Sequence, residues 1–96
     1  MALAWRIEFD EASKKDLSKL DPQIARRITA FLRDRLAALD DPRSLGEALK
    51  GSQLGEFWKY RVGDYRIIAC IEDGAFRVLV VRIGNRKEVY RNFQTK

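Results

Sequence analysis

Leu3, Trp5, Ile7 and Phe9 alternate with Ala4, Arg6, Glu8 and Asp10. A period of two predicts a half-buried strand at the start of the chain. Asp10 then caps a short helix, with Glu11 favourable in its first turn and Ala12, Leu17 and Leu20 as a thin apolar side. Lys14, Lys15 and Lys19 make its solvated face. Asp21-Pro22 ends that helix and starts another, since Asp suits the cap and Pro the first helical position. The second helix has the clearest pattern, with Ile24, Ile28, Phe31, Leu32, Leu36 and Leu39 at helical spacing. Arg26, Arg27, Arg33, Asp34 and Arg35 form its polar side, and Asp40-Asp41-Pro42 stops it. The short connection predicts an antiparallel helix pair. Residues 43–56 hold three glycines and little periodicity, which predicts a loop with one helical turn at Leu45 to Leu49. Three β-like runs follow, at about 57–62, 65–71 and 75–83, and Gly84-Asn85 breaks the last. The order β-α-α-β-β-β predicts one α+β domain over residues 1–96: a small antiparallel sheet with a helical hairpin on one face. The first strand is expected at an edge or beside the last strand.

Gly63-Asp64 and Asp73-Gly74 read as two-residue hairpin turns. Counting from the first puts Val62 opposite Tyr65, Arg61 opposite Arg66 and Lys59 opposite Ile68. Counting from the second puts Glu72 opposite Ala75, Ile68 opposite Leu79 and Arg66 opposite Val81. Alternation then gives one face to Lys59, Arg61 and Arg66. The other, the core face, takes Trp58, Tyr60, Val62, Tyr65, Ile67, Ala69, Ile71, Phe76, Val78 and Val80. Two arginines directly opposed cost about 0.2–1 kcal/mol relative to a neutral pair. An anion between them removes that cost. The plain alternative is a solvated face on which arginine stems cover apolar surface.

Charge falls on the same stretch. Residues 1–58 carry ten Lys/Arg and ten Asp/Glu, whereas residues 59–96 carry nine and four and so hold the whole net charge of +5. Such an excess fits a polyanionic partner such as nucleic acid. No apolar run approaches the roughly 20 residues of a membrane span, and the N-terminus reads as a strand rather than a secretory signal. The single cysteine, Cys70, fits a reducing cytoplasm and lies within a β run, where a structural thiol is expected. The chain has no histidine. A zinc site would lack its usual ligands, and acid–base work would fall to Lys, Arg, Tyr, Asp or Glu. No cofactor or metal is expected.

In this element order, the segments Asp41-Pro42-Arg43…Leu49-Lys50-Gly51, Trp58-Lys59-Tyr60-Arg61…Tyr65-Arg66 and Gly84-Asn85-Arg86-Lys87-Glu88-Val89-Tyr90 make the chain resemble the RelE-type toxins of the RelE/ParE superfamily. These are the toxic halves of bacterial type II toxin–antitoxin pairs. The resemblance spans nearly the whole chain. It implies a ribosome-dependent endoribonuclease that cleaves messenger RNA in the A site. The ribose 2′-hydroxyl attacks the adjacent phosphate without metal. It implies catalytic roles for Lys59, Arg61, Arg66, Arg86 and Tyr90. Arg61 stands where the closest RelE proteins have a second lysine, and Asn85 where many relatives have a histidine. The implied partners are a RelB-like antitoxin, through which a hetero-oligomer would bind operator DNA, and the 70S ribosome with its messenger and ribosomal RNA.

Within that frame, Arg61 and Arg66 form a fork of planar donors for phosphate oxygens. Lys59 is the candidate base, since neighbouring cations favour its neutral form. Arg86 is placed to stabilise the leaving oxygen, and Tyr90 to stack on a base or orient the ribose. Arg43, Lys50, Arg77, Arg82 and Lys87 are expected to contact RNA. Two other readings stand beside this one: a ParE-like toxin that acts on DNA gyrase without cutting RNA, and a non-enzymatic nucleic-acid-binding module.

Overall fold

The computed structural model describes residues 4–49 and 57–89. Strand β1 (Arg6–Phe9) leads into helix α1 (Glu11–Ser18), whose N-cap Asp10 accepts from the Ser13 N–H at 2.9 Å. Helix α2 (Pro22–Ala30) starts as expected, with Asp21 accepting from the Gln23 N–H and Pro22 in the first turn. It does not run straight to Leu39. Over Phe31–Leu36 it widens to π geometry, and Ala37 N–H bonds the Leu32 carbonyl at 2.9 Å. The wider turn aims the Ala37 carbonyl at Trp5, whose N–H it accepts at 3.0 Å. The indole N–H of Trp5 reaches the Asp40 carbonyl, so the end of α2 is pinned to the start of the chain.

The helical turn expected at Leu45 to Leu49 falls instead at Pro42–Leu45, as a 3-10 turn capped by the Asp41 side chain. Glu47–Ala48 after it is a short strand, β2. Strands β3 (Phe57–Val62), β4 (Tyr65–Glu72) and β5 (Arg77–Asn85) complete a sheet in the order β1-β5-β4-β3-β2. The first strand lies at an edge beside the last strand, as anticipated, but pairs with it parallel; the other pairings are antiparallel. Ile28, Leu32 and Leu36 from the second helix bury themselves against Tyr60, Ile67, Ala69, Ile71, Val78, Val80 and Ile83.

The first hairpin has the counted register: Val62 faces Tyr65, Arg61 faces Arg66 and Lys59 faces Ile68. Gly63 at φ +60° supplies the left-handed residue at the first turn position. The second hairpin departs from the count. Its loop holds four residues, Asp73 to Phe76, so Glu72 faces Arg77 and Cys70 faces Leu79. The Asp73 carboxylate is gripped by Arg43 at 2.7 and 3.0 Å, which favours a 3-10 turn over the tight turn expected of Asp-Gly. Phe76, assigned above to the core face, takes a left-handed backbone (φ 49°) and stays 45% exposed, with its ring 5.2 Å from Trp5.

A bulge shifts the register once more. Ala69 pairs with Val80 but Ile68 with Arg82, which leaves Val81 as the extra residue. Beyond it Ile83 enters the core, while Gly84, not Val81, lies opposite Arg66. The last strand therefore continues through Gly84-Asn85, where the sequence predicts a break.

Strand β1 ends opposite Val80, so β5 beyond that point has no neighbour on that side. Helix α1 supplies the missing partners. Ser13, fully buried, donates its hydroxyl to the Val80 carbonyl at 2.7 Å. The Asp16 carboxylate accepts from the Ile83 N–H at 2.9 Å and from the Arg82 guanidinium at 2.9 and 3.1 Å. Removing that carboxylate leaves a cation and a backbone donor without partners. We expect Asp16→Ala to cost about 3 kcal/mol in urea unfolding, and Ser13→Ala about 1 kcal/mol. A loss below 1 kcal/mol for Asp16→Ala would show that water replaces the carboxylate at this edge.

Candidate functional site

Four cations belong to the first hairpin or to the turn tied to it. Lys59 and Arg61 come from β3 and Arg66 from β4, all on the sheet face turned away from α2. The fourth comes from far along the chain. The Arg86 N–H donates to the Asp64 carbonyl at 3.0 Å, which ties the turn after β5 to the turn between β3 and β4. The side chain of Asn85 holds that second turn in shape. Its Oδ1 accepts from the N–H groups of Lys87 and Glu88 at 3.0 and 2.9 Å, as an N-cap does. Gly84 leaves room for Val89 to fold back: a Cβ there would stand 3.3 Å from the Val89 Cβ. Val89 and Ile68 are both buried, so the cationic face is partly roofed rather than flat.

The side chains differ in how they are held. Arg66 is anchored, with Nη1 donating to the carbonyls of Gly63 and Tyr65 at 3.1 Å each. Arg61 and Arg86 are exposed, and among the described residues neither has a carboxylate partner. Cations alone do not surround Lys59, contrary to expectation. Its ammonium lies 3.4 Å from the Glu47 carboxylate, directly opposite on β2. Glu47 is the residue that sequence reasoning missed, because a two-residue strand leaves no periodicity to read. Its position follows from close packing: a Cβ on Gly46 would come within 2.8 Å of the Tyr60 ring, so glycine lets β2 close onto β3. Tyr60 is buried and donates its hydroxyl to the Pro42 carbonyl at 3.0 Å, and burial pushes its pKa well above the ordinary phenol value.

The residues expected to contact RNA separate from this group. Arg43 holds Asp73 and Asp41 and lies over the Trp58 ring. That contact keeps the Asp73 carboxyl below the usual carboxylate range. Arg77 bridges Glu72 and Glu8, which raises its own pKa further. Arg82 is committed to Asp16. These three guanidiniums brace the fold. Lys87 is exposed beside Arg86. Lys50 and Tyr90 lie outside the described residues. Among those described, no group of carboxylate or cysteine side chains could hold a metal, and no helix is long and apolar enough to cross a membrane.

This arrangement can grip a phosphodiester between Arg61, Arg66 and Arg86, with an ammonium–carboxylate pair beside it for proton transfer. Comparison with known proteins points to toxins. Residues 7–90 match the family model described as the ParE toxin of type II toxin–antitoxin systems, parDE. Toxin RelE of Mycobacterium tuberculosis is 31% identical over 87 residues, 91% of this chain and 87% of that protein. Toxin RelG of the same organism is 28% identical over 89 residues, covering 93% and 99%. The fold superposes on the toxin–antitoxin complex RelBE2 of M. tuberculosis with a TM-score of 0.79, at 26% identity over 90% of this chain and 95% of that one. The isolated E. coli RelE toxin gives 0.67 at 24% identity, over 93% and 94%.

Asn85 acts here through the backbone, so its replacement should be felt there first. Asn85→Ala is expected to cost about 1 kcal/mol in urea unfolding and to speed amide exchange at Lys87 and Glu88. Asn85→Ser, which keeps an acceptor oxygen, should restore most of both. Unchanged exchange in Asn85→Ala would mean that something else holds the turn.

Proposed function

The chain belongs to the ParE toxin family of type II toxin–antitoxin systems and is a RelE-type toxin of the RelE/ParE superfamily, and from this we propose that it is a ribosome-dependent endoribonuclease that cuts messenger RNA in the A site. The observation that carries this reading is the gathering of Arg61, Arg66 and the tethered Arg86 around one turn, with Lys59 and Glu47 alongside. Cleavage joins the ribose O2′ to phosphorus and breaks the bond from phosphorus to the 5′-oxygen. The products are a 2′,3′-cyclic phosphate and a 5′-hydroxyl. One proton must leave O2′ and one must reach the leaving oxygen. The three arginines offset the charge that builds on the phosphate oxygens. Arg86 stabilises the leaving oxygen or donates the proton it takes up, and the resemblance gives Tyr90 the role of stacking on a base or orienting the ribose.

The 3.4 Å pairing of Lys59 with Glu47 supports a base role shared by these two residues. A carboxylate is already in its basic form at neutral pH, whereas an alkylammonium must first lose a proton. Glu47 accepts the 2′-proton, and Lys59 holds the carboxylate in place and faces the phosphate. Among the described residues no set of side chains reads bases alone, so the ribosome positions the substrate. A RelB-like antitoxin covers this surface in the cytoplasm, and the RelBE2 complex above is the model for such a pair.

Primer extension on messenger RNA, with and without programmed ribosomes, tests the reading. Cuts in codon register should appear only with ribosomes. Stalled gyrase complexes without cuts would make the protein a gyrase poison instead. Arg66→Ala and Arg86→Ala should each abolish growth inhibition and keep the melting transition. In single-turnover cleavage on ribosomes, Glu47→Gln should lose on the order of 10²-fold, and Lys59→Arg much less. The reverse ranking would return the base role to the Lys59 amine.

A further inference from the structure

Among the arginines that neither pair with a described carboxylate nor belong to the site above, which include Arg26, Arg33 and Arg35, Arg27 stands apart by its position. It is exposed on α2 and has no carboxylate partner among the described residues. Its guanidinium nonetheless has a defined place, over the first hairpin turn. A Cβ built on Gly63 would stand 3.6 Å from Nη2 and 3.9 Å from Nη1. Arg66, on the opposite face of the sheet, donates to the carbonyl of that same glycine. One peptide unit thus has a guanidinium on either side. Between α2 and the turn lies a cleft of about 200 Å³ lined by Ile24, Arg27, Val62, Gly63, Asp64 and Tyr65.

We propose that this cleft is a second ribonucleotide subsite, which takes the RNA strand as it passes around the hairpin tip from the Arg61–Arg66–Arg86 cluster. Arg27 binds the phosphate, Ile24, Val62 and Tyr65 give the sugar an apolar floor, and the Asp64 carboxylate accepts from a ribose hydroxyl. The lining itself favours this occupant. A peptide carboxylate would satisfy Arg27 as a phosphate does, but the cleft adjoins the Arg61–Arg66–Arg86 cluster at the same turn, which suits a chain of phosphates. A deoxyribose strand would leave Asp64 without its donor. A ribonucleotide brings an anion for one and a hydroxyl for the other. The proposal rests on the RNA-cleaving reading of the neighbouring site and extends it by one nucleotide.

The test compares Arg27→Gln with Arg26→Gln in the full chain. Arg26 adjoins Arg27 on the same helix but lines a different groove, with Ala25, Thr29, Ala30, Arg33 and Asp34. Cleavage on programmed ribosomes is measured against ribosome concentration and salt. Arg27→Gln should raise the half-saturating concentration roughly tenfold, the effect of one charge-assisted hydrogen bond. The saturated rate should stay within about twofold. The salt slope should shrink by about 0.7 for the lost phosphate contact. Arg26→Gln should change none of these. Equal effects of the two substitutions, or no effect of Arg27→Gln, overturn the subsite. Anisotropy with a short single-stranded RNA, and with DNA of the same sequence, separates the two readings. If messenger RNA on ribosomes is not cut at all but Arg27→Gln alone weakens binding of RNA over DNA, the enzyme reading fails and the subsite stands. Loss of antitoxin binding with RNA binding intact assigns Arg27 to a protein partner and overturns it.

Discussion

The Asp16 carboxylate is the point on which the sheet depends. Its side chain is only 11% exposed, and it accepts from one guanidinium and one strand N–H together. The last strand bulges at Val81, which leaves its backbone out of step with β4 just where β1 has ended. An unsatisfied strand edge would stand there without α1. With Asp16 and Ser13 in place, the bulge becomes affordable, and the bulge decides which residues meet beneath the cations. It sends Ile83 inward and sets Gly84 opposite Arg66. A side chain in that position would meet Val89 and lift the turn that carries Arg86.

Carboxylates sort the cations into two populations. Arg6, Arg43, Arg77 and Arg82 are matched by Glu8, Asp41, Asp73, Glu72 and Asp16, half of the pairs across elements distant in sequence. They knit strand ends and loops. Arg27, Arg61, Arg66 and Arg86 gather at one end of the first hairpin with no such match among the described residues. Lys59 sits between the populations, since its partner Glu47 is 76% exposed and a phosphate can compete for the same ammonium. The uneven charge along the chain is therefore an incomplete guide. What marks the site is that its unmatched cations sit together at one end of a hairpin, whereas Arg26, Arg33 and Arg35 are unmatched along the exposed side of the second helix.

Short-range features were legible in the sequence because they obey local rules. Asp10 and Asp21 cap as their side chains allow, and the Gly63 turn fixes the register that opposes Arg61 to Arg66. The α+β class followed from element order. The parts that escaped depend on partners far along the chain. Asp73-Gly74 carries a tight-turn signal, but Arg43 claims the aspartate from thirty residues away. Two added loop residues and a bulge then displaced every cross-strand pair counted from that turn. Of the candidate site, Lys59, Arg61, Arg66 and Arg86 were found by pattern and resemblance. Glu47 and Arg27 were not, since a two-residue strand and a solvated helix face look alike in any basic protein.

The Arg86–Asp64 bond also sets an order of assembly. Lys59, Arg61 and Arg66 are brought together by a hairpin of adjacent strands, a fast and local event. Arg86 joins them only after β5 has paired with β4 across its bulge and the following turn has closed. A chain that has formed the first hairpin alone holds three of the cations and lacks the fourth. Completion of the cluster waits on the pairing of β5 and the closing of the turn after it, so a nascent chain acquires its full set of cations only once those residues have emerged.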